Sequence, residues 1–538
     1  MDQNLQKAFI CGVERVAAWS DLLDHINVFP VADGDTGRNL IISLTPLRQL
    51  DSDRGTISRN LMMSARGNSG NISVQFFSGL LKADSIESLP QAAKVGKEMA
   101  WNAINDPVQG TMLTVFDALV DVMAWRSNGH LTKRITEIID HLEQAVQSTP
   151  ELLPTLKQAG VVDSGALGMF IYLEGFFKTL VNQTNDFRPI HTAFKGKLQI
   201  SSSFKEKAEN IFCVDTVIQS NENVEEKIKQ LSSTGSNVVI IPHEKYLKVH
   251  LHTEDTAQTR KIVESVGQVV QWSEDHIGNQ VTAFKPKTVD QAIHIMTDAA
   301  GSVTRKDSHQ LGITLLDSYI TVGHKSLPET FFTPSELYAA MRKGKKVSTS
   351  QASVFERHQY YQSVLHQYGK ALYLCVGSVY TGNYEIALKW KADNDPDNLL
   401  IVIDTGTASG RLGVIVLATA KYSAGADDPD TVIAFAKRAV QNCEEYVFLD
   451  KLKYLAAGGR LSKTSAFFGD ILKKKPVISP LPEGAAKAGI LQNCEEQLAF
   501  ALEKLNTSIS KDSSPFIMLE YSDNQEWVQD AATNEIQN

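Results

Sequence analysis

Two carboxylates separated by one glycine stand in the string Asn27-Val28-Phe29-Pro30-Val31-Ala32-Asp33-Gly34-Asp35-Thr36-Gly37-Arg38-Asn39, where one helical pattern breaks and another begins. Asp33 and Asp35 can turn oxygens toward a single hard cation, and Mg2+ takes one or two carboxylates plus phosphate oxygens. The same residues would also make a plain Asp-Gly turn at a helix start. A second string, Ser64-Ala65-Arg66-Gly67-Asn68-Ser69-Gly70-Asn71, precedes an apolar helical run. It places Asn68, Ser69 and Gly70 at a helix N-terminus, where the dipole and the unpaired N–H groups attract phosphate. A simple Ser/Asn cap is the plainer alternative. The loops Pro107-Val108-Gln109-Gly110-Thr111-Met112-Leu113-Thr114 and Ala159-Gly160-Val161-Val162-Asp163-Ser164-Gly165-Ala166 also open helices. Four such loops in one helical region suggest a shared mouth. No G-x-x-x-x-G-K-[ST] string occurs, which excludes a P-loop mechanism.

Further along, Cys213 in NIFCVDTV and the pair His250 and His252 in KVHLHTED form a second chemical set. Histidines two residues apart project from the same face of a strand. A distant cysteine can complete a Cys-His-His set for zinc with an open fourth position. Ordinary strand residues beside a buried thiol are the alternative. In the last third, Lys346-Val347-Ser348-Thr349-Ser350-Gln351-Ala352-Ser353 offers hydroxyls to a carboxylate, or to its own backbone. Gly377-Ser378-Val379-Tyr380-Thr381-Gly382-Asn383-Tyr384 and Asp404-Thr405-Gly406 each follow a buried apolar run, the place where α/β sheets carry ligand loops.

These strings need elements to hold them. The 538 residues exceed the ~250–300 that one core supports, so two or three domains are expected. A composition of 43% hydrophobic and 21% charged residues is that of globular protein. Up to about residue 185 the periodicity is helical, as in Leu5, Phe9, Val13, Val16 and in Leu131, Ile135, Ile138, Leu142, Val146. That region reads as all-α. From about 205 short strands at 237–242 and 246–252 are flanked by helical stretches at 223–231 and 256–266, a small α/β domain. KPKTVDQ reads as the next linker. From Ala292 onward the strand-like runs AIHIMTD, KALYLCVGS and NLLIVIDTGT alternate with helical stretches, which implies βαβ units and a largely parallel sheet. The charge of -9 disfavours nucleic acid as a partner. Five scattered cysteines fit a reducing cytoplasm better than a secreted disulfide framework. No run of ~18 apolar residues and no leader pattern points to membrane spanning or export.

Residues 1 to about 180 resemble the helical nucleotide-binding domain of the dihydroxyacetone kinases (DhaL-like), and more closely the version found in fatty acid kinases, with all four loops in order. The resemblance implies an antiparallel eight-helix barrel with ATP at one end. Asp33 and Asp35 would hold Mg2+, with Asn27 in the place of a third ligand and Thr36, Gly37 and Asn39 beside the nucleotide. Asn68, Ser69 and Gly70 would cradle the phosphates, Thr111 and Met112 would lie near the nucleotide, and Asp163 and Gly165 near its base or ribose. Ala32 and Arg38 depart from the usual Pro and Thr around the Asp-Gly-Asp core. Residues from about 205 to 280 resemble the middle domain of fatty acid kinases, where Cys213, His250 and His252 match a metal-binding trio, implying zinc.

From about 293 the chain resembles DegV-type proteins, which bind a long-chain fatty acid in an internal tunnel. The matching pieces are Ile295-Met296-Thr297-Asp298, Thr349-Ser350-Gln351, Thr381-Gly382-Asn383, Asp404 and Leu455-Ala456-Ala457-Gly458-Gly459-Arg460-Leu461-Ser462. By that resemblance Thr349, Ser350, Thr381 and Gly382 would hold the acyl carboxylate, and Arg460 would face the kinase domain or its phosphate as a catalytic residue; an ordinary arginine beside a Gly-Gly turn is the alternative. Ala352 replaces a usual Pro, Thr381 and Asn383 replace the Ser and Thr of a Ser-Gly-Thr loop, and the closing His-containing glycine loop is absent.

The expectation is therefore a multidomain chain: an all-α eight-helix barrel over 1–190, a small α/β middle domain over 200–285, and an α/β DegV-like domain with a largely parallel sheet over 290–538. It would be a cytoplasmic, homodimeric enzyme using ATP, Mg2+ and zinc to phosphorylate a fatty acid carboxylate. A lipid-binding or sensing protein without turnover and a small-polyol kinase are the alternatives. Against the latter, Thr36 stands where polyol kinases typically carry His, and the DegV-like half favours a lipid.

Overall fold

The computed structural model describes residues 2–50, 53–124, 130–204, 211–219, 224–278, 291–323, 325–450, 475–509 and 514–537. They divide into two compact units, one of Met1–Lys285 with Lys325–Leu327 and Phe355–Gln367, the other of the remaining residues.

The first unit begins with helices α1 (Gln3–His25), α2 (Thr36–Leu44), α3 (Arg54–Ser64), α4 (Gly67–Leu80), α5 (Leu89–Asn102), α6 (Met112–Ala124), α7 (Leu131–Leu152), α8 (Pro154–Ala159) and α9 (Ser164–Leu180). Their packing runs in a closed circuit, α1 on α2, α2 on α4, then α5, α6, α7 and α9, with α9 returning to α1. The residues of α9 are buried almost all round, because α1, α2, α6 and α7 surround it. Glycines permit the closest crossing: a Cβ on Gly79 of α4 would lie 2.3 Å from the Gly96 Cα of α5. Inside the circuit the guanidinium of Arg15 pairs with Glu174, both fully buried, and stacks 3.9 Å over the ring of Phe187. Glu174 also accepts a hydrogen bond from the backbone N–H of Arg188, 2.8 Å away.

After the short helix α10 (Ile190–Ala193), the same unit carries an antiparallel sheet of β1 (Phe212–Gln219), β2 (Ser236–His243), β3 (Tyr246–Thr253) and β4 (Gln268–His276) in the order β2-β3-β1-β4. Helices α11 (Val224–Ser232) and α12 (Thr256–Val266) pack on one face. Val214, Ile218, Val249, Leu251 and Val263 form the apolar layer between. The alternate residues Cys213, Asp215, His250 and His252 take the other face, as a period of two requires. The edge strand β4 is mostly half-exposed and polar, which hid it from pattern reading. Residues Phe355–Gln367 belong to this unit as well: Glu356 accepts from Arg48 at 2.7 Å, Arg48 also pairs with Glu14 at 3.2 Å, and Ser363 Oγ donates to the Ala18 carbonyl at 2.7 Å.

From His294 onward in sequence the strands are β5 (His294–Asp298), β6 (Ile313–Leu316), β7 (Tyr319–Val322), β8 (Lys325–Pro328), β9 (Val347–Ser350), β10 (Ala371–Cys375), β11 (Leu400–Asp404), β12 (Val447–Phe448), β13 (Lys475–Leu481) and β14 (Gly484–Leu491). The sheet β11-β10-β5-β6 is parallel throughout. Ile295, Leu372 and Leu374 pack against Ile415 and Val416 of the helix Ser409–Ser423. Two smaller assemblies are antiparallel: β7 with β9, and β12 with β13 and β14.

Removing one partner of a buried ion pair leaves the other charge stranded, at ~3–5 kcal/mol. Glu174→Ala should therefore lower the unfolding midpoint of the first unit sharply in a denaturant titration followed by circular dichroism. Lys157→Ala, which breaks an exposed pair with Glu151, should leave it unmoved.

Candidate functional site

The Asp-Gly-Asp loop lies between α1 and α2 and is held from below. Asp24, in the last turn of α1, accepts hydrogen bonds from the N–H groups of Gly37 at 2.6 Å and Arg38 at 3.1 Å, capping α2 from outside its own sequence. Burial pushes the Asp24 carboxyl up to about 8, against the pull of Arg38. Pattern reading missed Asp24; an acid at a helix C-terminus, where the dipole disfavours it, was the available signal. Gly37 is required here because a Cβ would lie 2.1 Å from the Ser20 carbonyl oxygen. Asn27 donates through Nδ2 to Asp33 Oδ1 at 2.6 Å, and its Oδ1 accepts from Ser164 Oγ at 3.2 Å. Ser164 Oγ lies 3.1 Å from Thr36 Oγ1. Asn27 thus acts on Asp33 here, with both ends of its amide engaged inside the protein.

Asp33 and Asp35 are brought together. Burial, then the charge of Asp35 and a hydrogen bond with it, raise the Asp33 carboxyl well above the usual carboxylate range. Two carboxyls held against each other can turn oxygens to one cation. Arg38 Nη2 stands 3.6 Å from Asp35 Oδ2. It also feels Asp24, Asp275 of β4 and Asp33, so four acids surround one guanidinium.

The start of α4 packs on α2 through small residues. A Cβ on Gly67, whose φ is +61°, would lie 2.1 Å from Asn39 Nδ2, and one on Gly70 would lie 2.1 Å from Ser43 Oγ. Gly67 donates its N–H to Asp215 Oδ2 at 3.1 Å, and Gly70 to the Arg66 carbonyl at 3.1 Å. The N–H groups of Asn68 and Ser69 are left at the free end of the helix. At α6, Thr111 Oγ1 donates to the Val108 carbonyl at 2.9 Å. Met112 reaches the start of α9, its Cε 2.8 Å from where a Cβ on Gly165 would stand. Asp163 caps α9, its Oδ1 accepting from the Ala166 N–H at 2.7 Å, and burial pushes its carboxyl up to about 7. Hydrogen bonds and close packing thus link the starts of α2, α6 and α9, and α4 lies against α2.

On the middle sheet Cys213, His250 and His252 are all buried, with ligand atoms within 4.8 Å of one another. Cys213 faces His252 and Asp215 faces His250 in the β1–β3 register. Cys213 Sγ is 3.8 Å from His250 Nδ1, and His250 Nε2 is buried with no hydrogen-bond partner among the described residues. Burial, with His250 adding to it, lowers His252 to about 3, so its ring is a neutral donor. Burial and the charges of Asp215, Asp35, Asp33 and Asp275 push the Cys213 thiol well up. A thiol and two imidazoles in a negative field suit a thiophilic dication such as zinc.

In the second unit Thr349 and Ser350 are exposed on β9, opposite Ile320 and Tyr319. Thr381 is half-buried, its Oγ1 accepting from the Asn383 N–H at 3.3 Å, and Gly382 precedes the helix Asn383–Asn394. Asn383 Nδ2 donates to Asp298 Oδ1 at 2.8 Å. Asp404 organises its own loop, accepting from Ser378 Oγ at 2.6 Å and from the N–H groups of Ser378 and Gly406. The proposed hydroxyls therefore sit on separate elements, β9 and the loop after β10. Arg460 lies outside the described residues.

Comparison with known proteins adds the following. Residues 30–178 match the DAK2 domain, 209–284 the FakA-like middle domain of fatty acid kinases, and 292–537 the uncharacterised DegV family. Protein YloV of Bacillus subtilis is 30% identical over 306 residues, 51% of this chain and 55% of that protein. An uncharacterized protein of Staphylococcus saprophyticus is 30% identical over 327 residues, 55% of this chain and 58% of that one. The chain spans about half the length of these curated relatives. Among solved structures, a DegV family protein from Thermus thermophilus described for its fatty acid binding is 23% identical, with a TM-score of 0.37 over 40% of this chain and 78% of that one. DegV of Bacillus subtilis, described as a fatty acid binding protein, is 20% identical with a TM-score of 0.36 over the same shares. No helix among the described residues is long and apolar enough to cross a membrane.

Protein purified without chelators should carry zinc by plasma mass spectrometry, and His252→Ala should reduce it to background. A wild-type chain that takes up no zinc on reconstitution would refute the trio as a metal site.

Proposed function

We propose that this chain, in which a DAK2 domain, a FakA-like fatty acid kinase middle domain and a DegV-family domain follow one another, phosphorylates a fatty acid carboxylate with ATP. We read it as three domains, 1–190, 200–285 and 290–538, the first an eight-helix barrel, acting in the cytoplasm as a homodimer. The reading rests chiefly on the Asp33–Asp35 pair, two acids held together at the start of α2. Such a pair suits a magnesium-bound triphosphate.

Asp33 and Asp35 hold Mg2+, with Asn27 orienting Asp33. Bound Mg2+ supplies positive charge to the β- and γ-phosphates. Arg38 balances Asp35, and the first turn of α4, at Asn68, Ser69 and Gly70, receives phosphate oxygens. Thr36, Gly37, Asn39, Thr111, Met112, Asp163 and Gly165 wall the nucleotide. A fatty acid carboxylate, bound by Thr349, Ser350, Thr381 and Gly382, attacks the γ-phosphorus. A C–O–P bond forms, the bond from phosphorus to the β–γ bridging oxygen breaks, and ADP leaves with the electron pair. Arg460 is assigned to the transferring phosphate. The acceptor is already an anion, so the step needs positioning and charge neutralisation rather than a general base. Joining both halves in one chain replaces an encounter of two proteins by a high effective concentration.

The test is hydroxylamine trapping of acyl phosphate from purified chain, Mg2+-ATP and a long-chain fatty acid. Wild type should form it, and Asp35→Asn should lose ~100-fold or more in rate. ATP turnover that yields no trapped acyl group with any chain length would refute the assignment.

A further inference from the structure

We infer that Asp215 is a positioning residue through which metal binding at Cys213, His250 and His252 sets the phosphate-facing start of α4. The inference rests on the nucleotide reading of α4 given above. Asp215 lies two residues after Cys213 on β1, hence on the same face, and is 7% exposed. Its two oxygens reach in two directions. Toward α4, Oδ2 accepts from the Gly67 N–H at 3.1 Å and Oδ1 from Asn71 Nδ2 at 3.2 Å. Toward β3, Oδ2 is 3.4 Å from His250 Nδ1 and Oδ1 is 3.3 Å from Lys248 Nζ.

The helix side of this contact is fixed in turn. Gly67 has a left-handed backbone, and Asn71 Nδ2 also donates to the Gly67 carbonyl at 2.7 Å. One carboxylate therefore determines the orientation of the peptide that precedes the open N–H groups of Asn68 and Ser69. A carboxylate this close to a phosphate site would repel the ligand if left bare. Lys248, 1% exposed at its side chain, neutralises it in place. His250 joins the two sites because it belongs to the metal trio and touches Asp215. A dication on the trio fixes the imidazole, as an acid partner outside a metal's own ligands usually does in reverse. Fixing His250 fixes Asp215, and a preorganised α4 start binds phosphate at lower ordering cost.

The prediction is a linkage between two ligands, measured by calorimetry on the full chain with Zn2+ and a non-hydrolysable ATP analogue in Mg2+. Zinc should tighten analogue binding by about 5-fold or more in wild type, and the analogue should tighten zinc by the same factor. Asp215→Asn should still bind both ligands, zinc about 10- to 100-fold more weakly, with the linkage abolished at saturating metal. Asn71→Ala, which leaves the trio untouched, should keep wild-type zinc affinity and lose most of the linkage. Analogue binding that ignores zinc in wild type, or a linkage that survives both substitutions, overturns the inference while leaving the kinase reading intact. Intact linkage without trapped acyl phosphate would overturn the acceptor assignment and leave Asp215 in its role.

Discussion

Two carboxylates held against each other in a loop of low solvent exposure are the constraint around which the first unit is arranged. Asp33 and Asp35 repel, and the protein answers with a hydrogen bond from Asn27, a guanidinium at Arg38 and a helix N-terminus fixed by Asp24. Even so, burial and the charge of Asp35 raise the Asp33 carboxyl well above its ordinary range. Folding energy from the surrounding helices keeps such a pair in place. The buried Arg15–Glu174 pair differs in kind, because there the opposite charges satisfy each other inside the circuit.

The middle sheet repeats the same logic on its polar face. Its helix-covered side is aliphatic, and its other side gathers a thiol, two imidazoles, Asp215 and Lys248 within a few strand positions. Such a face is stable only if each polar group has a partner. Asp215 finds four, two on its own sheet and two on α4, so the sheet is docked on the helices by polar contacts as well as by the small apolar cluster of Met62, Ala103, Val239 and Ile241. His250 Nε2 is left buried without a partner among the described residues.

In the second unit two strands of the parallel sheet end in an aspartate at the carboxyl end. Asp298, at the end of β5, accepts from Tyr373, from Asn383 and from the Val376 N–H. Asp404, at the end of β11, shapes the loop that carries Ser378. These acids order the loops; Thr349 on β9 and Thr381 beside Asn383 remain accessible to a ligand.

Short-range information was enough for much of this. The helical period of Leu131, Ile135, Ile138, Leu142 and Val146 marks α7, the i, i+2 histidines mark β3, and the apolar runs at 294–298, 371–375 and 400–404 mark three strands of the parallel sheet. In each case the signal lies within one element, where periodicity and burial are the same fact. Tertiary structure alone decided which distant residues meet. It set Asp24 under α2, Asp215 on the start of α4, and Glu356 beside Arg48, which lie 13, 148 and 308 residues apart. It also gave Asn27 to Asp33 and Asp163 to the start of its own helix. A buried carboxylate or amide takes whatever donor or acceptor the packing of remote elements supplies. Local sequence carries the chemical type of such a group, while its partner is set by the fold.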